Sequence, residues 1–183
     1  MPHSSDREFT GHDFRDEDLT GMRTEQVVFT ECDFSGVNFS ESTHLGSAFR
    51  NCRFVRSTLW HSTFRNCSML GSTFEDCRMR PIICEEVDFT LAVLAGADLR
   101  GVDLSGCRLR EASLVRADLR KAVLRGCDLT GVRTQGLKLD EADLCGARID
   151  PTLWTTAACR GARIGVDQAL AFAAAHGLDV SGE

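Results

Sequence analysis

The chain has 183 residues, 43% of them hydrophobic and 26% charged, which fits one globular domain, or two small ones, and excludes a disordered polymer. Its net charge of −6 excludes a non-specific DNA binder, which needs a basic face. Eleven Phe, no Tyr, 16 Gly and only three Pro point to a repetitive scaffold rather than a typical catalytic pocket.

The opening Met1–Asp6 has no basic stretch followed by an apolar run, so no signal peptide is expected there. No apolar run approaches the roughly 20 residues of a membrane span, so no membrane partner is expected. Nine cysteines are an odd number, and no Cys-x-x-Cys pair occurs. Free thiols in a reducing cytoplasm are the expectation, with neither disulfides nor a structural metal.

From Phe9 onward every fifth residue belongs to one class. Of the 32 positions from Phe9 to Ile164, 26 are Phe, Leu, Met or Ile; the exceptions are Thr24, His44, Cys84, Thr134, Trp154 and Cys159. The position two residues earlier is small, and the position two residues later carries 13 of the 16 glycines. A period of five fits neither a helix nor a flat strand. It fits a short extended step with its large and small residues on one side, followed by a tight turn that favours positive φ. Four steps close a square coil of twenty residues. Eight such coils, stacked at about 4.8 Å, give a rod on the order of 38 Å long.

In chain order, the first face stacks Phe9, Phe29, Phe49, Met69, Phe89, Leu109, Leu129 and Ile149. The second runs from Phe14 to Trp154. The fourth holds Thr24, His44 and Cys84 in its first four coils and is expected to be the least well packed there. Pro81 occupies a turn position and is expected to mark a kink. Plugs change from Phe to Leu near residue 90, predicting a change in coil cross-section. The register never slips between Phe9 and Ile164, which predicts coils without inserted loops. After Ile164 the pattern ends. Asp167 is a candidate cap for a helix over Gln168 to His176, with Gly177 as its stop. Nine residues are too few for a stable isolated helix, so this one is expected to cover the last coil. Two domains follow: a solenoid over 1–166 and a helix with tail over 167–183. Val166, Ala169, Leu170, Phe172 and Ala173 are the candidate dimer contacts.

Catalytic signatures are missing. The five histidines form no metal-spaced pair, and His44 points inward as a packing residue. Gly131–Gly136 mimics a phosphate loop only through the repeat, lacking the Lys-Ser/Thr that should follow. Neither an enzyme nor a cofactor is expected. Charge is balanced on each face taken whole, the third holding seven acids and seven bases. Residues 6–41 nevertheless hold ten acids against three Arg.

The units Cys32-Asp33-Phe34-Ser35-Gly36, Ala97-Asp98-Leu99-Arg100-Gly101 and Ala117-Asp118-Leu119-Arg120-Lys121 resemble the pentapeptide-repeat family over residues 7–166. That resemblance implies an all-β solenoid, a right-handed quadrilateral β-helix, here of about eight coils with a short C-terminal helix. Phe34–Asn38, Leu59–Phe64 and Ala169–Gly177 further resemble the fluoroquinolone-resistance branch of the family. This likeness implies a homodimer that mimics DNA, binds DNA gyrase and itself binds no nucleic acid. Carboxylates standing in for phosphates are then expected at Asp98, Asp103, Asp118, Asp140, Glu141 and Asp143 near the dimer centre. Asp13, Asp16 and Asp33 would serve at the tip. The competing expectation is a passive scaffold that binds another protein through a flat face.

Overall fold

The computed structural model describes residues 7–181; the segment 1–6, on which the signal-peptide reading falls, lies outside it. The chain winds into a β-solenoid of about seven turns with a short helix at its C-terminal end. Its strands are Glu8–Thr10 (β1), Arg23–Glu25 (β2), Val28–Thr30 (β3), Thr43–Leu45 (β4), Ala48–Arg50 (β5), Arg53–Val55 (β6), Ser62–Arg65 (β7), Thr73–Glu75 (β8), Ile82–Glu85 (β9), Asp128–Leu129 (β10) and Arg148–Ile149 (β11). Two helices follow, Pro151–Thr156 (α1) and Val166–Ala175 (α2).

Every pairing is parallel and shifted by twenty residues: Phe9 faces Phe29, and Phe29 faces Phe49. The large residue of each step points inward. Phe14, Phe34, Phe54 and Phe74 form one stack, with successive ring centroids 4.9, 5.2 and 4.8 Å apart. The stack rises by one ring per coil, which matches the spacing of hydrogen-bonded strands. Three- and four-residue strands end at Glu85. Beyond it the ladders continue as isolated bridges apart from β10 and β11, which is where the plugs change from Phe to Leu.

The corner position explains the glycines. It has positive φ in thirteen glycines of the repeat and also in fifteen other residues, Leu91 at φ 60° among them. Pro81 cannot follow, because its ring fixes φ near −65° and removes the N–H. The consequence is one-sided. On the first two faces the ladder runs unbroken past this level, through Ser68–Asp88–Arg108 and Thr73–Val93–Ser113. On the third face, among the described residues, Thr58 pairs with Arg78 and Asp98 with Asp118, but Arg78 does not pair with Asp98. On the fourth, β9 pairs back to β7 and has no ladder partner ahead of it. Pro81 therefore opens a seam between the fourth and fifth coils on two faces only.

The fourth face corrects one expectation. It forms the largest sheet, in the order β2-β4-β7-β9, and its irregular plugs Thr24, His44 and Cys84 are all buried. A hydrogen-bond chain makes this possible. Thr24 Oγ1 lies 2.7 Å from His44 Nδ1 and 2.9 Å from Ser47 Oγ, while His44 Nε2 lies 2.9 Å from Ser42 Oγ. The His44 ring also stacks on Phe64 at 4.7 Å. Polar plugs with satisfied partners pack as well as apolar ones.

A second correction concerns the last coil. The eighth turn is made only in part, because α1 replaces the strand on the second face. Pro151 starts this helix and Trp154 fills the plug position from it. The substitution costs no register, since Lys138 still bridges Ala158 at twenty residues. The C-terminal helix begins two residues earlier than expected: α2 starts at Val166 with Gly165 at its N-cap, and Asp167 lies in its first turn.

Candidate functional site

The nine carboxylates singled out from the sequence fall into two groups. Five are held by cations of the same chain. Asp98 takes paired hydrogen bonds from Arg100 and two from Arg80 across the seam. Asp118 is bound by Arg120 at 2.7 Å. Asp143 is buried and bound by Arg125, with Arg163 at 3.4 Å. Asp13 pairs with Arg15, and Glu141 lies 3.6 Å from Lys121. Hydrogen bonds from Arg100 hold the Asp98 carboxyl well below its ordinary range, and Arg120 lowers Asp118 in the same way. Bonds from Cys145 and Arg125 bring Asp143 down to about 2, and Arg15 brings Asp13 down to about 2. Asp13, Asp98, Asp118 and Asp143 are held ionised, and the charge of all five is already answered within the chain.

The other four have no such cation among the described residues. Asp33 accepts from the backbone and hydroxyl of Ser35, and Asp103 does the same from Ser105. Asp140 accepts the Arg160 N–H, and Asp16 sits at a corner with φ 58°. Neighbours missed by the sequence reading extend the first group of coils. Asp18, Glu31 and Glu41 form no ion pair among the described residues, so the first two coils carry a cluster of uncompensated acid.

Face-by-face charge sums also hid a segregation. All seven bases of the third face, from Arg78 to Arg160, lie beyond Trp60, while three of its seven acids lie before it. Arg80, Arg100 and Arg120 occupy successive coils there. Only the position of each charge along the rod, not its total, carries that signal.

Helix α2 is tied down at two points. Gln168 donates from its amide to the carbonyls of Leu144 and Ala147, at 2.8 Å each, and accepts from Gly165 N–H. Phe172 packs edge-on against Trp154 at 5.7 Å. Val166 is 81% exposed and Leu170 47%; Ala169 is exposed and Ala173 half-buried. Six cysteines of the inward small register are buried or half-buried, and all nine are unbridged. Desolvation pushes the thiols of Cys52 and Cys127 up to about 12. No helix among the described residues is long and apolar enough to cross a membrane.

A family model for a pentapeptide repeat region matches residues 57–134, and one for nine copies of the repeat matches residues 29–69. Pentapeptide repeat protein MfpA of Mycobacterium tuberculosis (strain ATCC 25618 / H37Rv) is 67% identical over 177 residues, covering 97% of each chain. The chain belongs to the pentapeptide-repeat family. A protein of the same name from Mycolicibacterium smegmatis is 73% identical over 45 residues, 25% of this chain and 24% of that one. The solved structure of full-length QnrB1, a plasmid-mediated fluoroquinolone resistance protein, is 18% identical and superposes with a TM-score of 0.63. It covers 93% of this chain and all of that one, and shows that the two pentapeptide-repeat solenoids share a fold.

Proposed function

We propose that this pentapeptide-repeat protein acts by binding rather than by catalysis. It occupies DNA gyrase in place of a DNA segment, as a homodimer joined through α2, and so confers resistance to fluoroquinolones. The observation that carries the reading is the set of carboxylates on the first two coils that form no ion pair among the described residues, Arg15 lying near Asp16 and Asp33 but bonded to Asp13. Asp16, Asp18, Glu31, Asp33 and Glu41 project there from a scaffold that repeats at strand spacing, Asp18 and Asp33 being held by hydrogen bonds from Thr20 and Ser35. Lys and Arg in a groove built for phosphates would meet them, giving a steered, salt-sensitive association. The likeness to MfpA over nearly the whole chain and the fold shared with a fluoroquinolone resistance protein support the same reading.

Asp98, Asp118 and Asp143 serve this role only by exchanging their own arginines for those of the partner, so the tip dominates. Reversing Asp16, Glu31 and Asp33 to Lys is expected to weaken inhibition of gyrase supercoiling at least about tenfold. Undiminished inhibition by that variant would overturn the tip assignment. Reversing Asp98, Asp118 and Asp143 tests the central group separately. The internal ion pairing of the later coils favours the alternative of a passive scaffold, which predicts no effect on supercoiling at any concentration.

A further inference from the structure

The seam at Pro81 and the basic strip beside it meet on the third face. An open hollow of about 790 Å³ lies there, bounded by Thr58, Trp60, Arg78, Arg80 and Asp98. A second hollow of about 420 Å³ adjoins it through Arg80 and continues past Arg100, Arg120 and Lys121. Trp60 is 46% exposed and rests edge-on against His61 at 4.2 Å, so one broad apolar face is left open at the end of the groove. Within the seam the repeat bonds from Met79 N–H to the Asp98 carbonyl and from Asp98 N–H to the Cys77 carbonyl are not made among the described residues. Unpaired main-chain groups seek a partner.

We propose that this groove docks an acidic, extended segment of a partner protein, on a different stretch of the rod from the acidic N-terminal coils. Charge selects the class of partner. From Arg78 to Arg160 the third face holds seven bases and four acids, an excess of three positive charges. Arg80, Arg100 and Arg120 already hold Asp98 and Asp118, so the excess of three cations is what attracts. Carboxylates of the incoming segment meet Arg78 and share the other three arginines with those aspartates, an apolar side chain covers Trp60, and the segment's main chain supplies the hydrogen bonds the seam lacks. A polynucleotide suits the strip less well. Its phosphates meet Asp98 and Asp118 as carboxylates would, but it has no peptide main chain to continue the parallel ladder that the seam leaves open.

The test needs no gyrase and uses the full chain with a fluorescein-labelled peptide of alternating Glu and Leu, about ten residues long, enough to span the strip. Binding is expected to weaken with salt and to shift the emission of Trp60. The Arg80→Glu, Arg100→Glu, Arg120→Glu variant is expected to bind at least about tenfold more weakly, while Arg53→Glu with Arg133→Glu on the second face binds as wild type does. The same three positions changed to Gln guard against a folding defect. With an unchanged thermal midpoint they should still lose affinity. Equal binding by all variants overturns the proposal. So does tighter binding of an oligothymidylate of equal length, or concentration-dependent self-association that alone accounts for the Trp60 shift through the acidic tip of a second copy.

Discussion

At the residue scale, His44 shows how a repeat tolerates a polar plug. It is fully buried, and desolvation lowers its pKa from 6.5 to about 3. The neutral ring is therefore the folded form. Above pH 6.5 both folded and unfolded chains carry it neutral, and it adds no pH dependence. As the pH falls from 6.5 toward 3 the unfolded chain takes up a proton that the folded chain refuses, so stability falls by about 1.4 kcal/mol per pH unit. His44→Phe keeps the ring stack on Phe64 and removes this loss. Denaturant titrations at pH 7 and pH 5 should show wild type losing more stability than the variant; equal losses would place His44 outside the core. The cysteines make a second residue-scale prediction. Cys145 is the one cysteine in an outward position of the repeat; the Asp143 carboxylate beside it raises its thiol pKa, so its reactivity rests on access, which the cysteines behind the wall lack. A thiol reagent should modify about one cysteine of the native protein quickly and all nine after unfolding without reductant. Seven or fewer after unfolding would reveal a disulfide.

At the scale of the element, the corner decides more than the strand. Leu91 holds φ 60° with half its surface exposed, a conformation that costs an L-residue about 1 kcal/mol and repays it with no packing. Leu91→Gly is expected to raise the urea midpoint slightly, by up to about 0.5 kcal/mol of stability after the entropy of the glycine is subtracted. Gly96→Ala, at φ 71° with open space around it, should lower the midpoint by a similar amount. A fall for Leu91→Gly would mean that the corner geometry is not strained. The cover at the end of the rod depends on Gln168, which bonds the coil through two hydrogen bonds and caps its own helix with a third. Gln168→Ala should free the amides of α2 to exchange while those of the early coils stay protected. The sequence made much of this readable. Large residues at every fifth position named the inward face of each coil, and Pro81 marked the right level of the rod, though as a kink; what it opens is a seam on two faces, because proline cannot take the corner conformation. The rest needed coordinates. Trp154 and Thr134 read as faults in one register, though Pro151 was the clue to a helix spliced into it. The polar plugs of the fourth face looked like defects until Ser42 and Ser47, from the small register, proved to be their partners. The ion pairing of Asp98 was hidden for another reason. Arg80 is eighteen residues away and reaches it only across an opened seam.

At the scale of the whole molecule, charge and apolar surface separate along the rod, with uncompensated acid at the N-terminal coils, a basic groove at mid-length and apolar side chains at the C-terminal helix. A two-fold contact at α2 would place both acidic tips outward, doubling the length of any surface offered to a partner and leaving the seam of each copy open. The test of that arrangement depends on which residues of α2 the chain uses for itself. Phe172 packs on Trp154 and Gln168 bonds the last coil, so changing either would damage the cover along with any contact between copies. Val166 and Leu170 are more exposed, at 81% and 47%, and are the two to change. Sedimentation of the wild type is expected to report two chains, and Val166→Asp with Leu170→Asp one chain at an unchanged thermal midpoint, because exposed substitutions seldom move stability by more than about 0.5 kcal/mol. If the paired variant still sediments as two chains, the copies meet elsewhere. The segregated third face is then the surface to examine, since its acidic coils complement its own basic half when two rods lie antiparallel.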